Sequence, residues 1–139
     1  PAPIHAGGLR YHGIAPTISV LAQENQISTI AVNQVDAFDA AKIFIRSEGI
    51  IPSPESTHAI KAVCDQARLC AQTNTPKTLL FALTGHGFFD MTAYEEYFSG
   101  RLQPYEYPAE KVAESMEKLR KLYPWLDQVT KQYITPCKQ

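Results

Sequence analysis

The chain has no stretch approaching the ~20 apolar residues that a membrane-spanning helix needs; its most apolar run, Leu79–Leu83, is five long. No basic-then-apolar leader opens the sequence. Charge is also sparse and balanced, 13 Lys+Arg against 14 Asp+Glu for a net −1, which gives no reason to expect nucleic acid or an acidic membrane surface as a partner. Cysteine is limited to Cys64, Cys70 and Cys137, an odd number with no CxxC. The first two are six apart within one expected helix, so they do not share a face for a disulfide, and a cytoplasmic protein with reduced thiols is expected. The four histidines, His5, His12, His58 and His86, show no HxH, HxxxH or HExxH spacing, so no metal site is expected. There is no GxSxG nucleophile turn and no GxxxxGK[ST] phosphate loop, and the Gly85–Gly87 GxG lacks the third glycine of a dinucleotide fingerprint. Pro1 is not an ordinary translation start, so the chain is expected to be processed, tagged or cut from something longer.

What is present suits one domain: 139 residues, 45% of them hydrophobic, enough for a core. Helical periodicity predicts helices from Pro16 to Gln26, from Ala37 to Ser47 capped by Asp36 and closed by Gly49, and from Thr57 to Gln72. The third of these has the stripe Ile60, Val63, Cys64, Ala67, Cys70 and Ala71. Thr78–Leu83, with its wholly apolar run, reads as a strand covered on both faces, the β-branched Ile27–Val32 as a second strand and 50–52 as a very short one. Asp90 is placed to cap a short helix ending near Phe98. Pro108 opens a last helix, to Tyr123, with the narrow stripe Val112, Met116, Leu119 and Tyr123. Alternating strands and helices imply an α/β fold, a three-layer αβα arrangement with a short, mostly parallel sheet. With so few strands it reads as half of a doubly wound domain, carrying a surface helical extension over 106–139.

Three loops hold six of the seven glycines and two of the four histidines: GGLRYHG (7–13), EGIIPSPES (48–56) and TGHG (84–87). Each lies at the end of a helix or strand, where an open α/β sheet binds ligands. On their own they support a ligand-binding edge of unspecified chemistry.

In order and spacing, GGLRYHG, EGIIPSPESTHAI and LTGHGFFD resemble the C-terminal part of tryptophan synthase β chains, pyridoxal phosphate (PLP) enzymes of fold type II. The stand-alone branch is the nearer match, with GLRYHG and SGHG where the α-partnered branch has GLDYPG and SGRG. The resemblance covers about His5 to Leu122, including the PYEYP lead into the last helix. It implies that Thr84 takes the place of a serine whose hydroxyl bonds the pyridine nitrogen of PLP, with Gly85 and His86 beside it. A neutral hydroxyl does not favour a protonated ring nitrogen, as a carboxylate would. Glu48 matches a glutamate near the cofactor ring. The backbone carbonyls around Leu9, Tyr11 and Gly13 match a loop that helps hold a monovalent cation. Arg10 stands where the α-partnered branch has an aspartate, so that branch's closure ion pair is not carried over.

The same resemblance locates the Schiff-base lysine, in a His-Lys pair, and a GGGSN-type phosphate loop in the N-terminal half; none of the eight lysines here follows a histidine. The chain is therefore expected to be inactive alone. It would be one wall of an enzyme joining L-serine and indole into L-tryptophan, with the N-terminal half as its partner. The alternative is a non-catalytic binding, regulatory or self-associating module derived from that fold. Ile50, Ile51, Phe88 and Phe89 are expected on the face the other half would cover, which predicts a homo-oligomer when that face is open.

Overall fold

The computed structural model describes residues 4–10 and 13–126. Among them are five α-helices: α1 (Pro16–Gln23), α2 (Gln34–Glu48), α3 (Pro54–Thr73), α4 (Met91–Phe98) and α5 (Ala109–Leu122), with short 3-10 turns at Gly7–Leu9 and Gly87–Asp90. They fall into two compact units. One contains 4–10, 13 and Ile30–Tyr105; the other contains Ile14–Thr29 and 106–126.

The ends of α2 and α3 follow from local chemistry. The helix α2 starts three residues before the expected Ala37, because Asn33 rather than Asp36 is its cap; the Asn33 side chain accepts from the Val35 N–H at 3.0 Å. Asp36 lies in the first turn instead, where its charge suits the helix dipole. At the other end Gly49 takes the left-handed conformation (φ 70°) and its N–H reaches the Ile45 carbonyl at 3.0 Å. The helix α3 also starts early, at Pro54 rather than Thr57. Ser53 caps it, and a proline in the first position loses nothing, since that N–H has no partner within the helix. Asn74 ends it in the left-handed region at φ 50°.

In the first unit α2 packs chiefly on α3 and touches α4. Its core is Phe38, Ala41, Ala93, Tyr94 and Leu102, flanked by Val35, Ile45, Ile51 and Tyr97. Phe38 meets Tyr94 edge-on at 5.0 Å and stacks with Tyr97 at 5.5 Å, geometries that the ring quadrupole favours. In the second unit α5 carries i,i+4 ion pairs, Lys118–Glu114 (2.5 Å) and Lys121–Glu117 (2.7 Å), both exposed. Along its apolar stripe Met116 is half-buried, while Val112, Leu119 and Tyr123 are exposed.

No strand forms among the described residues, so the three-layer αβα expectation is not met there: the architecture is helical. The segments expected as strands, Ile27–Val32, 50–52 and Thr78–Leu83, run without a ladder. Ile30 is 68% exposed and Leu80 97% exposed. A strand is defined by a ladder of hydrogen bonds to a neighbouring segment; 50–52 has a single such bond, from the Gly87 N–H to the Ile51 carbonyl, and no ladder forms at any of the three. The stripe of α3 shows the same lack of cover: Ile60 is buried, Val63, Cys64 and Cys70 are half-buried, and Ala67 and Ala71 are exposed. Cys64 and Cys70 are free thiols, and Cys137 lies outside the described residues. Among the described residues no helix is long and apolar enough to cross a membrane.

Candidate functional site

The N-terminus of α3 gathers the three loops singled out by sequence. The proline-rich segment 51–56 forms the floor. The Gly7–Leu9 turn is tied to it where the Gly8 N–H donates to Glu55 Oε1 at 2.6 Å. The TGHG loop lies against its other side, where the Gly87 N–H donates to the Ile51 carbonyl at 2.9 Å. Gly87 is buried, and a Cβ there would meet the Pro52 carbonyl oxygen at 2.4 Å and Ile51 Cγ2 at 2.6 Å. Only glycine allows backbone to lie this close to backbone.

Two buried serines hold Thr84. Ser56 Oγ accepts from the Thr84 N–H at 3.1 Å and donates to the Thr84 carbonyl at 2.8 Å. Ser53 Oγ donates to the same carbonyl at 2.8 Å, while accepting from the Ser56 N–H at 3.4 Å as the cap of α3. Both lone pairs of the Thr84 carbonyl are thus used. The Thr84 hydroxyl has no hydrogen-bond partner among the described residues, and the residue is exposed. Gly85 follows at φ 69°, a left-handed turn that carries the chain past Ser53.

His86 Nδ1 accepts from the Phe88 N–H at 3.1 Å and caps the Gly87–Asp90 turn, a role that the residue pattern does not reveal. Glu48 sits exposed at the last position of α2, three residues before Ile51. Leu9 ends the turn whose Gly8 is tied to Glu55; Gly13 has open space around it, and Tyr11 and His12 lie outside the described residues. Of the expected covering face, Ile50, Phe88 and Phe89 are exposed at 40%, 71% and 90%. Ile51 is not part of it: it turns inward and packs against the core cluster. Beneath the loops the Tyr94 hydroxyl donates to the Pro52 carbonyl at 2.6 Å, and burial first, then the Asp90 charge, raises its pKa. Tyr97 is pushed up to about 12 by burial and by its hydrogen bond to Asp39, with Arg46 opposing. Partial burial lowers the pKa of His58, and the nearby Glu55 charge works against that shift.

The residues that sequence reasoning passed over are Ser53, Ser56 and Glu55. The signal was present: a serine, a proline at the first helical position and a polar residue three on is a helix-capping pattern. A hollow of about 400 Å³ lies at the opposite end of α3, lined by Ala67, Cys70, Ala71, Asn74, Thr75 and Leu79 among others. Among the described residues no group of three His, Cys, Asp or Glu is placed to hold a metal ion.

No family profile matches the chain. Individual proteins do. "Tryptophan synthase beta chain 2" of Aquifex aeolicus is 52% identical over 102 residues, 73% of this chain and 24% of the relative. The protein of the same name from Pyrococcus furiosus is 53% identical over 104 residues, 75% of this chain and 23% of the relative. This chain is homologous to tryptophan synthase beta chains. A third such relative, from Methanosarcina acetivorans, is 53% identical over 102 residues, 73% of this chain and 23% of its own. The chain therefore spans about a quarter of the length of the curated tryptophan synthase beta chains it matches.

Proposed function

We propose that this chain supplies the pyridine-nitrogen side of a PLP pocket in a tryptophan synthase β-like enzyme, completed by the remaining three quarters of such a chain. The parent reaction is the joining of L-serine and indole into L-tryptophan. One observation carries the reading. Thr84 is held by its backbone on both sides while its hydroxyl, on an exposed residue, has no partner among the described residues. That suits a residue whose partner is a ligand rather than protein.

The residues fit the cofactor in kind. Bound PLP supplies an electron sink for carbon-centred charge. Thr84 Oγ1–H would donate a hydrogen bond to the ring nitrogen; uncharged and far too weak an acid to transfer its proton, it would leave that nitrogen unprotonated. Gly85 removes any Cβ beside it. Glu48, exposed at the end of α2, would lie toward the ring, and His86 would act through the turn it caps. The lysine and phosphate loop would come from the partner segment, so this chain alone would not turn over substrate. Irregular segments 27–32 and 78–83 would become strands of the α/β sheet once neighbours are present. Ile50, Phe88 and Phe89 would be covered there; without that cover, a second copy would take the place.

The test mixes this chain with a separately produced remainder of a relative's β chain, PLP, serine and indole. Tryptophan formation should appear only in the mixture, and Thr84→Ala should lower its rate by about tenfold or more, on the scale of one positioned hydrogen bond. A mixture as active with Thr84→Ala as without it would overturn the role of Thr84.

A further inference from the structure

A hydroxyl can hold a direction only if the backbone that carries it is held. Thr84 is gripped by one side chain at both of its backbone groups: Ser56 Oγ takes its N–H at 3.1 Å and gives a proton to its carbonyl at 2.8 Å. Ser53 reaches only the carbonyl, at 2.8 Å, and its oxygen is also spent on capping α3. The two serines differ in consequence. Ser53 joins helix stability to the loop, whereas Ser56, bridging both groups of one residue, restrains rotation of the Thr84 peptide planes that set where Oγ1 points. Both serines are buried, so water cannot replace either bond without entering the floor of the site.

We propose that Ser56 is the positioning residue for Thr84, fixing the direction of its hydroxyl; this rests on the reading of Thr84 as the ring-nitrogen contact. A residue serving structure alone would change melting temperature and cofactor environment in proportion. Ser56 breaks that proportion.

Three variants decide it, each read by amide hydrogen exchange of Thr84 in this chain, by melting temperature, and by the absorption maximum of PLP in the reassembled enzyme. Ser56→Ala should speed Thr84 exchange by about tenfold or more and shift the PLP maximum in the same direction as Thr84→Ala. Ser53→Ala, which removes the cap of α3 and one of the two bonds to the Thr84 carbonyl, should lower the melting temperature and shift the PLP maximum by clearly less than Ser56→Ala does. If Ser56→Ala does not fold, Ser56→Cys keeps the volume with a weak donor and acceptor, and should shift the maximum by less but in the same direction. A Thr84→Ala shift with Ser56→Ala or Ser56→Cys at the wild-type maximum overturns the positioning role alone. A shift for Ser53→Ala as large as for Ser56→Ala also overturns it. No shift for Thr84→Ala removes the cofactor reading and the positioning role with it, whatever the exchange rates show.

Discussion

The first turns of α3 and its last turns belong to one uninterrupted helix with one apolar period, yet they live in different surroundings. Pro54, Ser56, Thr57 and Ile60 are buried under loops that bond to them. Ala67 and Ala71 are exposed and line a hollow of about 400 Å³, and Leu69 is exposed as well. Periodicity states which face of a helix wants cover; it does not state whether cover is there. The N-terminal end finds its cover in loops distant in sequence but tied to it by hydrogen bonds, Gly8 with Glu55 and Thr84 with Ser53 and Ser56. The C-terminal end faces segment 74–83, which bonds to the end of α3 through the Asn74 and Thr75 N–H groups and meets Phe44 through Phe81, but forms no strand ladder among the described residues.

The sharpest way to break this contrast is a pair of truncations on the one helix. Ile60→Ala should cost about 3 kcal/mol, since a buried aliphatic side chain loses both its transfer term and its packing. Leu69→Ala, at 46% exposure, should cost less than about 0.5 kcal/mol. Urea midpoints of the two variants give the comparison directly, and equal losses would mean that both ends are packed alike. Next in size is Gly87→Ala. Its Cβ cannot coexist with the Pro52 carbonyl at 2.4 Å, so the TGHG loop must lift from the floor, at about 2 kcal/mol of overpacking. The loss of the Gly87–Ile51 bond should appear as faster exchange of the Gly87 amide. Ser53→Ala should cost about 1 kcal/mol as a lost cap, read as a fall in helix signal and melting temperature together.

The smallest effect is a pH dependence confined to the N-terminal end. His58 binds its proton more weakly folded than unfolded, where its value is 6.5, because burial outweighs the Glu55 charge. The unfolded chain therefore holds more protons near and below that pH, and stability falls as pH drops from about 7. His58→Gln should flatten the melting temperature between pH 5 and 7. At the other end, fully exposed Asp65 has its pKa lowered, first by its hydrogen bond to Lys61. That contribution is present above its usual 3.8 and lost only as pH falls below it. A slope between pH 5 and 7 that survives in His58→Gln would place its origin elsewhere.

Helices were legible because their signals are local: Gly49 as a left-handed stop, Pro108 before α5, and the stripe of α3 all act within a turn or two. The early starts of α2 and α3 went to residues that also suit turns, Asn33 and the Ser53-Pro54 pair, whose competition with Asp36 and Thr57 is settled only by which side-chain oxygen reaches an N–H. Strands were not legible in the same sense. The run Leu79–Leu83 has strand composition, but a ladder needs a distant neighbour that local pattern does not describe. The meeting of the three loops was foreseeable from their places at element ends. The serine pair that fastens Thr84 was not, since its bonds span 28 and 31 residues. His86 was named beside Thr84, but its capping of the Gly87–Asp90 turn was not legible, because a histidine seldom caps a helical turn.

Leu80 gives the chain a hazard as well as a history. Its side chain stands 97% exposed in the middle of LLFAL, five residues without charge, proline or glycine, with Lys77 the nearest charge before it and Asp90 the nearest after. Such a window is the raw material of cross-β stacking, in which identical segments from many molecules zip together in register. In solution the same five residues would favour precipitation at high concentration, and a single charge at position 80 acts as the gatekeeper that natural sequences place beside such runs.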